Sequence, residues 1–359
     1  MLCLLSMSCN TKSPLVLETH EVDFLNKTGD IINAKELNLD VPGVRDVVVC
    51  DTLLCFLTKD PSGMLKIYKK NTLEYMASFC QLGRAKNEFT GQVNLTNGQY
   101  YQRNGDLIIP LMDNNSLLQK EVNVSASLRT GHTVVEGIEP RTANEYSFVL
   151  LDNGLEKTFS FRNPYLNAET GIMELPLYAI REHNEIVREY KVFKKHVATE
   201  NIENLELWYS GNLLKHPSRS LVIFPMCNLD DILFFDLKTN HHYSLHQTGS
   251  TSASDICVFN DQRKNRSCFG RPVADKASDY FYVTYFGGKY TEEAVNENTM
   301  RAELLVFDWD GNYKGGVKLD TNYHRHSLDS DTKILYAVNI GSEKIYTFDL
   351  SGLINTIAK

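Results

Sequence analysis

The chain has 359 residues, of which 42% are hydrophobic and 23% charged, with a net charge of −8 and an isoelectric point near 5.7. This acidic balance disfavours nucleic acid as a partner, because such binding needs a basic surface that displaces counterions from phosphates. No stretch approaches the roughly 20 apolar residues that cross a bilayer as a helix.

The N-terminus carries a short apolar run that ends in small residues directly before Cys9, and the polar stretch 10–14 follows. This pattern is similar to the end of a bacterial lipoprotein signal, in which the cysteine becomes the lipidated N-terminus after cleavage. We interpret residues 1–14 as a signal remnant and tether. This interpretation predicts lipid attachment at Cys9 and a location in the cell envelope, on the outer membrane or the periplasmic face. The alternative is a disordered or helical stub.

The first clear group of strands follows a turn at Pro42 and Gly43. Short β-rich runs at 44–50, 53–58, 64–68 and 75–79 are separated by turn residues, which predicts a four-stranded sheet. A second group covers 100–101, 106–111 and 117–122. A third pairs 145–151 with 159–161 across the turn 152–154.

Residues 178–204 break this rhythm, and 180–193 is the part with a distinct apolar spacing. Their apolar positions at 180, 186, 187, 190 and 193 fit the helical period better than strand alternation. We therefore predict a short helical insertion, or a blade with degraded outer strands. Strand patterns resume at 205–209, 220–225, 232–236 and 242–245, and again at 280–286, 302–307, 313–317, 332–338 and 344–348, with a polar insertion at 292–301.

A short sequence motif, called the phrase below, recurs in these strands. It consists of a pair of aromatic or apolar residues (the couplet), then Asp or Lys, then a turn. It occurs at 67–72, 234–239, 306–311 and 347–352, with looser copies at 111–115 and 150–154. The step is 39 residues from Asp113 to Asp152, 84 (twice 42) from Asp152 to Asp236, and 41 from Asp308 to Asp349. A period near 40 built from short strands is typical of a β-propeller blade.

The predicted fold is therefore all-β, a six-bladed β-propeller of four-stranded antiparallel blades. Seven blades are the alternative, if 192–195 is a divergent copy of the phrase. No linker or low-complexity segment divides the chain, so residues 15–359 are expected to form a single propeller domain.

The segment 79–89 leads from the outer strand of the first group to the next group. Its Gly83, Glu88 and Phe89 match a glycine-rich connection of the form G-x-G-P-G-E-F, whereas residues 84–87 replace the rest of that run. With Cys9, this segment resembles the TolB-like six-bladed propeller lipoproteins of Bacteroides and its relatives. The resemblance implies the fold and the envelope location, and it implies little chemistry.

One cluster is a candidate ligand site. His324 and His326 share a face if 323–327 is extended, and Asp329 and Asp331 follow just before a strand. The start of an innermost strand is where a propeller places residues that line its central channel, so these four side chains are a candidate ligand-binding site at the channel mouth. The alternative is a polar loop whose aspartates accept turn hydrogen bonds.

Other polar groups are interpreted structurally. His241, His242 and His246 lack a third metal ligand on a shared face, so we expect outer-strand histidines and no metal site. The hydroxyl-rich run 248–254 matches no nucleophile motif and is expected to be a solvated loop. No catalytic residue and no cofactor are predicted.

These observations predict an envelope-anchored, monomeric propeller lipoprotein that serves as a binding or scaffold module without catalysis. Its partner would be a protein or peptide of the cell envelope, and it would meet the membrane only through its lipid. The alternative is a carbohydrate-active or other enzyme with its site at the channel mouth. The two hypotheses differ in whether loss of His324 or His326 abolishes a reaction.

Overall fold

The computed structural model describes residues 17–24, 28–141, 145–171, 173–193, 209–250, 269–275, 280–287 and 302–357. Strands in this part of the chain form six successive blade sheets and one separate two-stranded hairpin. A hydrophobic core lies between each sheet and the next, and a sixth core joins the last sheet to the first. The chain is therefore a closed six-bladed β-propeller, as predicted, and the seven-blade alternative is wrong.

The first three blades follow one another along the chain. Blade 1 contains β4 (Val44–Cys50), β5 (Leu53–Thr58), β6 (Leu65–Lys69) and β7 (Tyr75–Phe79). Blade 2 contains β8 (Val93–Leu95), β9 (Tyr101–Arg103), β10 (Asp106–Asp113), β11 (Leu118–Asn123) and β12 (Val135–Pro140). Blade 3 contains β13 (Glu145–Leu150), β14 (Lys157–Arg162), β17 (Leu177–Glu182) and β18 (Glu185–Tyr190), with a small hairpin of β15 (Tyr165–Leu166) and β16 (Met173–Glu174) inserted.

The other three blades draw strands from both ends of the chain. Blade 4 contains β19 (Leu214–Lys215), β20 (Leu221–Pro225), β21 (Asp231–Asp236) and β22 (His242–Gln247). Blade 5 contains β23 (Phe269–Ala274), β24 (Tyr280–Tyr285), β25 (Glu303–Asp308) and β26 (Tyr313–Leu319). Blade 6 contains β27 (Arg325–Asp329), β28 (Ile334–Asn339) and β29 (Lys344–Asp349).

The N-terminal segment runs along the outer edges of these three blades. Strand β1 (Glu18–Val22) pairs in parallel with β22, and β2 (Thr28–Ile32) pairs in parallel with β26. Strand β3 (Lys35–Glu36) then pairs antiparallel with β29 as the fourth strand of blade 6. The N-terminal part of the chain therefore completes the C-terminal blade, which closes the ring and protects strand edges that would otherwise be unpaired.

The helix predicted in 180–193 is wrong, because β17 and β18 form a hairpin there. Its turn lies at His183 and Asn184, whose φ angles of 46° and 70° suit a tight connection between twisted strands. Pairing of β17 with β14 buries Tyr178 and Ile180, while Ile186 faces solvent. The apolar spacing thus reflects two separate strands, and sheet pairing outweighs the apparent helical period.

Two helices occur in the described part of the chain, α1 (Val124–Thr130) and α2 (Ser351–Ile357). Helix α1 connects β11 to β12. It is capped by the Asn123 side chain, which accepts from the Ala126 N–H, and it ends at Gly131 in the left-handed conformation. Neither of these helices is long and apolar enough to cross a membrane. Cys9 and the insertion predicted at 292–301 lie outside the described residues.

Candidate functional site

A pocket of 370 Å³ opens at the face of the disc where the innermost strands end, which we call the upper mouth. Every blade contributes to it, since the blades converge on the central channel. Its polar or charged lining residues are Asn97, Gln99, Tyr100, Tyr101, Asp152, Asn153, Lys215, His216, Ser327 and Ser330, and its apolar ones include Val49, Leu150, Leu151, Leu213, Pro272 and Leu328. The site therefore combines an apolar wall with a limited set of polar groups, as small-ligand sites do.

Side-chain hydrogen bonds join blades 2 and 3 at this mouth. The Asn97 amide donates to the Phe148 carbonyl at 2.8 Å, and the Gln99 side-chain oxygen accepts from the Leu150 N–H at 2.8 Å. These bonds satisfy backbone groups that face the channel and therefore lack a strand partner on that side.

Similar bonds join other blades around the mouth. The Ser147 hydroxyl accepts from the Leu213 N–H at 3.4 Å, linking blades 3 and 4, and the Ser327 hydroxyl accepts from the Val49 N–H at 3.0 Å, linking blades 6 and 1. Together with Asn97 and Gln99, these side chains hold the innermost strands in fixed relative positions. The mouth is thus preorganised, which reduces the entropic cost of binding.

Among the residues that the structure describes, Lys215 and Asp152 are the charged side chains that line this pocket. The Lys215 Nζ donates to the His216 carbonyl oxygen at 3.3 Å and has no carboxylate within 4.0 Å among the described residues. Burial lowers the pKa of Lys215, and the charge of Asp152 opposes that shift. The half-buried ammonium therefore keeps donor capacity toward the pocket.

His216 lies beside Lys215 with a defined tautomer. Its Nδ1 accepts from the Ser218 N–H at 3.0 Å and from the Arg219 N–H at 2.9 Å, so the ring hydrogen lies on Nε2 when the ring is neutral. Its ring packs against the Trp309 indole at a centroid distance of 4.6 Å. These contacts hold the loop after β19 at the rim of the pocket.

An ion pair crosses the channel below the mouth. The Arg271 guanidinium on β23 binds both carboxylate oxygens of Asp46 on β4, at 2.8 and 2.5 Å. Gly98 has a φ of +66°, and a Cβ placed on it would lie 3.5 Å from Arg271 Nη1. Since Gly98 also lines the pocket, the ion pair lies directly beneath the pocket wall.

The four predicted ligand residues are not brought together at one site. Asp329 and Asp331 lie at the upper end of β27, beside Ser330 of the pocket. His324 precedes β27 and therefore lies at the opposite end of the strand, where its Nδ1 accepts from the Ile340 N–H at 3.0 Å. His326 is 2% exposed, and its ring contacts Tyr323.

Asp329 has a clear structural partner. It accepts from the Thr332 hydroxyl at 2.6 Å and forms an ion pair with Lys70 at 2.9 Å, which links blade 6 to blade 1. Burial raises the pKa of Asp329, but the hydrogen bonds from Thr332 and Lys70 outweigh burial and hold it below its usual value. Asp331 is exposed at the rim, and its charge adds to burial in raising the pKa of Tyr100.

A second cleft, of 670 Å³, lies between blades 2 and 3. At its base is Glu121, which is 3% exposed and accepts from the Tyr101 hydroxyl, from both Arg103 amino groups at 3.0 and 2.9 Å, and from the Leu155 N–H at 3.2 Å. Its carboxylate is thus fully used in joining the two blades. No group of three or more His, Cys, Asp or Glu side chains in the described ranges has metal-binding geometry.

No family model and no curated protein matches the chain. Its fold is similar to a Bacteroides vulgatus member of the DUF4221 family, with a TM-score of 0.51 and 10% identity over 89% of this chain and 98% of that one. It is also similar to a Bacteroides fragilis chain described as a candidate exported protein, with a TM-score of 0.55 and 11% identity over 92% and 98% of the two chains. At these identities the likeness shows the propeller fold alone, so membership of the TolB-like lipoproteins stays a prediction.

Proposed function

We propose that this chain is an exported, lipid-anchored propeller that binds a protein or peptide partner at the upper mouth. The observation that carries the proposal is the pocket lined by all six blades. Hydrogen bonds from the side chains of Asn97, Gln99, Ser147 and Ser327 join neighbouring blades around it. A rigid site of this kind suits recognition, because little ordering is needed when a ligand binds.

The size of the pocket limits what can enter. A volume of 370 Å³ lies at the low end of the range for small-ligand sites, so the pocket would admit a short chain terminus or one or two side chains. The rest of a protein partner would lie on the loops around the mouth. Asp331 and Asp152, both exposed, would then contribute to the charged rim of the interface.

Catalysis at the mouth is the alternative function. The sequence predicts it near His324, His326 and Asp331, but His324 lies at the far end of β27 and His326 is buried between blades. Asp152 is the carboxylate that lines the pocket, and acid–base hydrolysis of glycosides commonly uses two. The arrangement of the mouth therefore favours binding without reaction.

Photocrosslinking tests the binding proposal. A p-benzoylphenylalanine replacing Leu151, on the pocket wall, is expected to capture a protein or peptide when the variant is made in the natural envelope. The matched control carries the same group at Ser342, an exposed residue in the turn between β28 and β29 at the opposite face. Equal adducts from both positions, or none from Leu151, would contradict the proposal.

The anchor is tested separately from the pocket. With the natural leader present, Cys9→Ala is expected to move the protein from the membrane fraction to the soluble fraction and to abolish labelling by an alkyne fatty acid. Cys3→Ala is the control, because a cysteine within the signal is removed by cleavage. Unchanged labelling in Cys9→Ala would show that the anchor assignment is wrong while leaving the pocket proposal intact.

A further inference from the structure

Three side chains of blade 4 form a series of close polar contacts that the binding proposal does not use. The Ser250 hydroxyl lies 3.2 Å from His246 Nε2, and His246 Nδ1 lies 3.3 Å from an Asp231 carboxylate oxygen. A hydroxyl, an imidazole and a buried carboxylate in this order are the arrangement that activates a serine for acyl transfer.

Local structure explains why these residues meet. Asp231 and His246 are directly paired in the antiparallel ladder of β21 and β22. The chain then turns, with the Ser250 N–H donating to the Gln247 carbonyl at 3.1 Å and Gly249 in the left-handed conformation at a φ of 74°. This turn brings the Ser250 hydroxyl next to His246 Nε2.

The carboxylate is held in place by a further contact. Asp231 is 1% exposed, and one of its oxygens also accepts from the Ser244 hydroxyl at 2.9 Å. Burial lowers the pKa of His246, but the hydrogen bond and charge of Asp231 and the charge of Asp230 outweigh burial and raise it. Asp231 thus fixes the Nδ1–H tautomer and stabilises the imidazolium that forms when Nε2 accepts a proton.

We propose that Ser250 is an activated nucleophile that accepts acyl groups from small carboxylic esters. The Ser250 hydroxyl oxygen attacks the ester carbonyl and its proton passes to His246 Nε2. The C–O bond to the alcohol then breaks, and the leaving alcohol takes that proton. Water, deprotonated by the same imidazole, hydrolyses the acyl–serine and regenerates the hydroxyl. Asp231 acts as a positioning residue through His246 and does not contact the ester.

The position of this site makes it distinct from the mouth. His246 is near the end of β22 and its side chain is 11% exposed, while Ser250 is half-buried, so a small substrate can reach both from solvent. Because β22 is the fourth strand from the channel and ends at the lower face, the site lies away from the upper mouth. Its failure would therefore leave the binding proposal unaffected.

The test uses a fluorophosphonate probe and p-nitrophenyl acetate on the intact folded protein. Ser250 is expected to be the labelled residue by mass spectrometry, with labelling and hydrolysis falling at least 100-fold in Ser250→Ala and in His246→Gln. Ser62→Ala, an exposed turn serine, is the control and should leave both unchanged.

Asp231→Asn distinguishes a positioning role from a merely structural one. It should lower the labelling rate and shift the pH at which labelling is half-maximal to lower values, since the charge that raises the His246 pKa is lost. Absence of label on Ser250 in the folded protein, or equal labelling of the wild type and His246→Gln, would overturn the proposal. Thermal melting of each variant confirms that the fold is retained.

Discussion

Arg271 of blade 5 and Asp46 of blade 1 form a two-point ion pair across the channel, although blade 6 lies between their blades. Both side chains are 7% exposed. The pair thus connects two non-adjacent blades in the interior of the disc, where neither charge can be solvated if its partner is lost. The ion pair therefore fixes the positions of blades 5 and 1 relative to each other beneath the mouth.

Breaking this ion pair should lower the free energy of unfolding considerably. Arg271→Ala leaves the Asp46 carboxylate buried without its partner, so we expect a loss of about 3–5 kcal/mol in the free energy of unfolding. Urea denaturation followed by tryptophan fluorescence measures this loss. Lys344→Ala provides the matched control, since its ion pair with Glu36 is about half exposed on both sides and solvent screening should make its contribution much smaller. Equal losses of unfolding free energy in the two variants would contradict a stabilising role for the Arg271–Asp46 ion pair.

The N-terminal segment should contribute strongly to stability through Phe24. This side chain is 0% exposed and packs among Phe269, Tyr285 and Phe307 of blade 5, with ring centroids 5.4–5.9 Å away. Phe24→Ala is therefore expected to cost about 3–5 kcal/mol. Ile31→Ala on β2 is the control, because that side chain is 47% exposed and its loss should change stability by less than about 0.5 kcal/mol. A small loss in Phe24→Ala would mean that the segment is only loosely attached.

Sequence reasoning identified the blades but not how the N-terminus joins them. The residue pairs before Asp236, Asp308 and Asp349 belong to strands that pair locally within a blade. Because the pattern repeats along the chain, it can be recognised from the sequence. The parallel addition of β1 and β2 depends on contacts between residues more than 200 positions apart, for which a single sequence carries no periodic signal.

The candidate site was predictable only in part. Asp331 lies beside Ser330 near the upper rim, in a turn before a strand that is visible in the sequence, whereas His324 lies at the opposite end of β27. Lys215 was missed, since β19 is only two residues long and no pattern distinguishes its lysine from a surface one. Asp231 meets His246 through the register of β21 and β22, and Ser250 meets it through the turn after β22; spacing alone fixes neither.

The buried imidazole of His326 should make stability depend on pH. Burial, reinforced by the charges of Arg271 and Arg325, lowers the pKa of His326 to about 3. Between this value and the unfolded pKa of about 6.5, the unfolded state binds a proton that the folded state does not, so stability falls as the pH drops from 6.5 towards 3. The slope due to this residue should approach 1.4 kcal/mol per pH unit at most, by the same relation.

His326→Leu is expected to remove that contribution. Urea midpoints for the wild type and the variant between pH 7 and pH 4 should diverge by the slope above, with the variant less sensitive to acid. His132→Leu is the control, because it makes the same replacement at an exposed histidine. Parallel curves for the wild type and His326→Leu would show that the imidazole is not buried in the neutral form.

Lys215 should determine which ligands the mouth accepts. Its ammonium is half-buried and faces a pocket in which the one carboxylate, Asp152, does not pair with it, so an anionic group such as a peptide carboxylate would supply the missing hydrogen bonds. Lys215→Met retains the apolar stem and removes the charge. A charge-assisted hydrogen bond contributes about 1.5–3 kcal/mol, so capture from position 151 should fall at least about tenfold.

Lys157→Met is the matched control, because Lys157 lines the other cleft and pairs with Glu182. The melting temperature of Lys215→Met should not fall, since no protein carboxylate loses a partner. Undiminished capture by Lys215→Met would mean that the mouth recognises its ligand through the apolar wall instead.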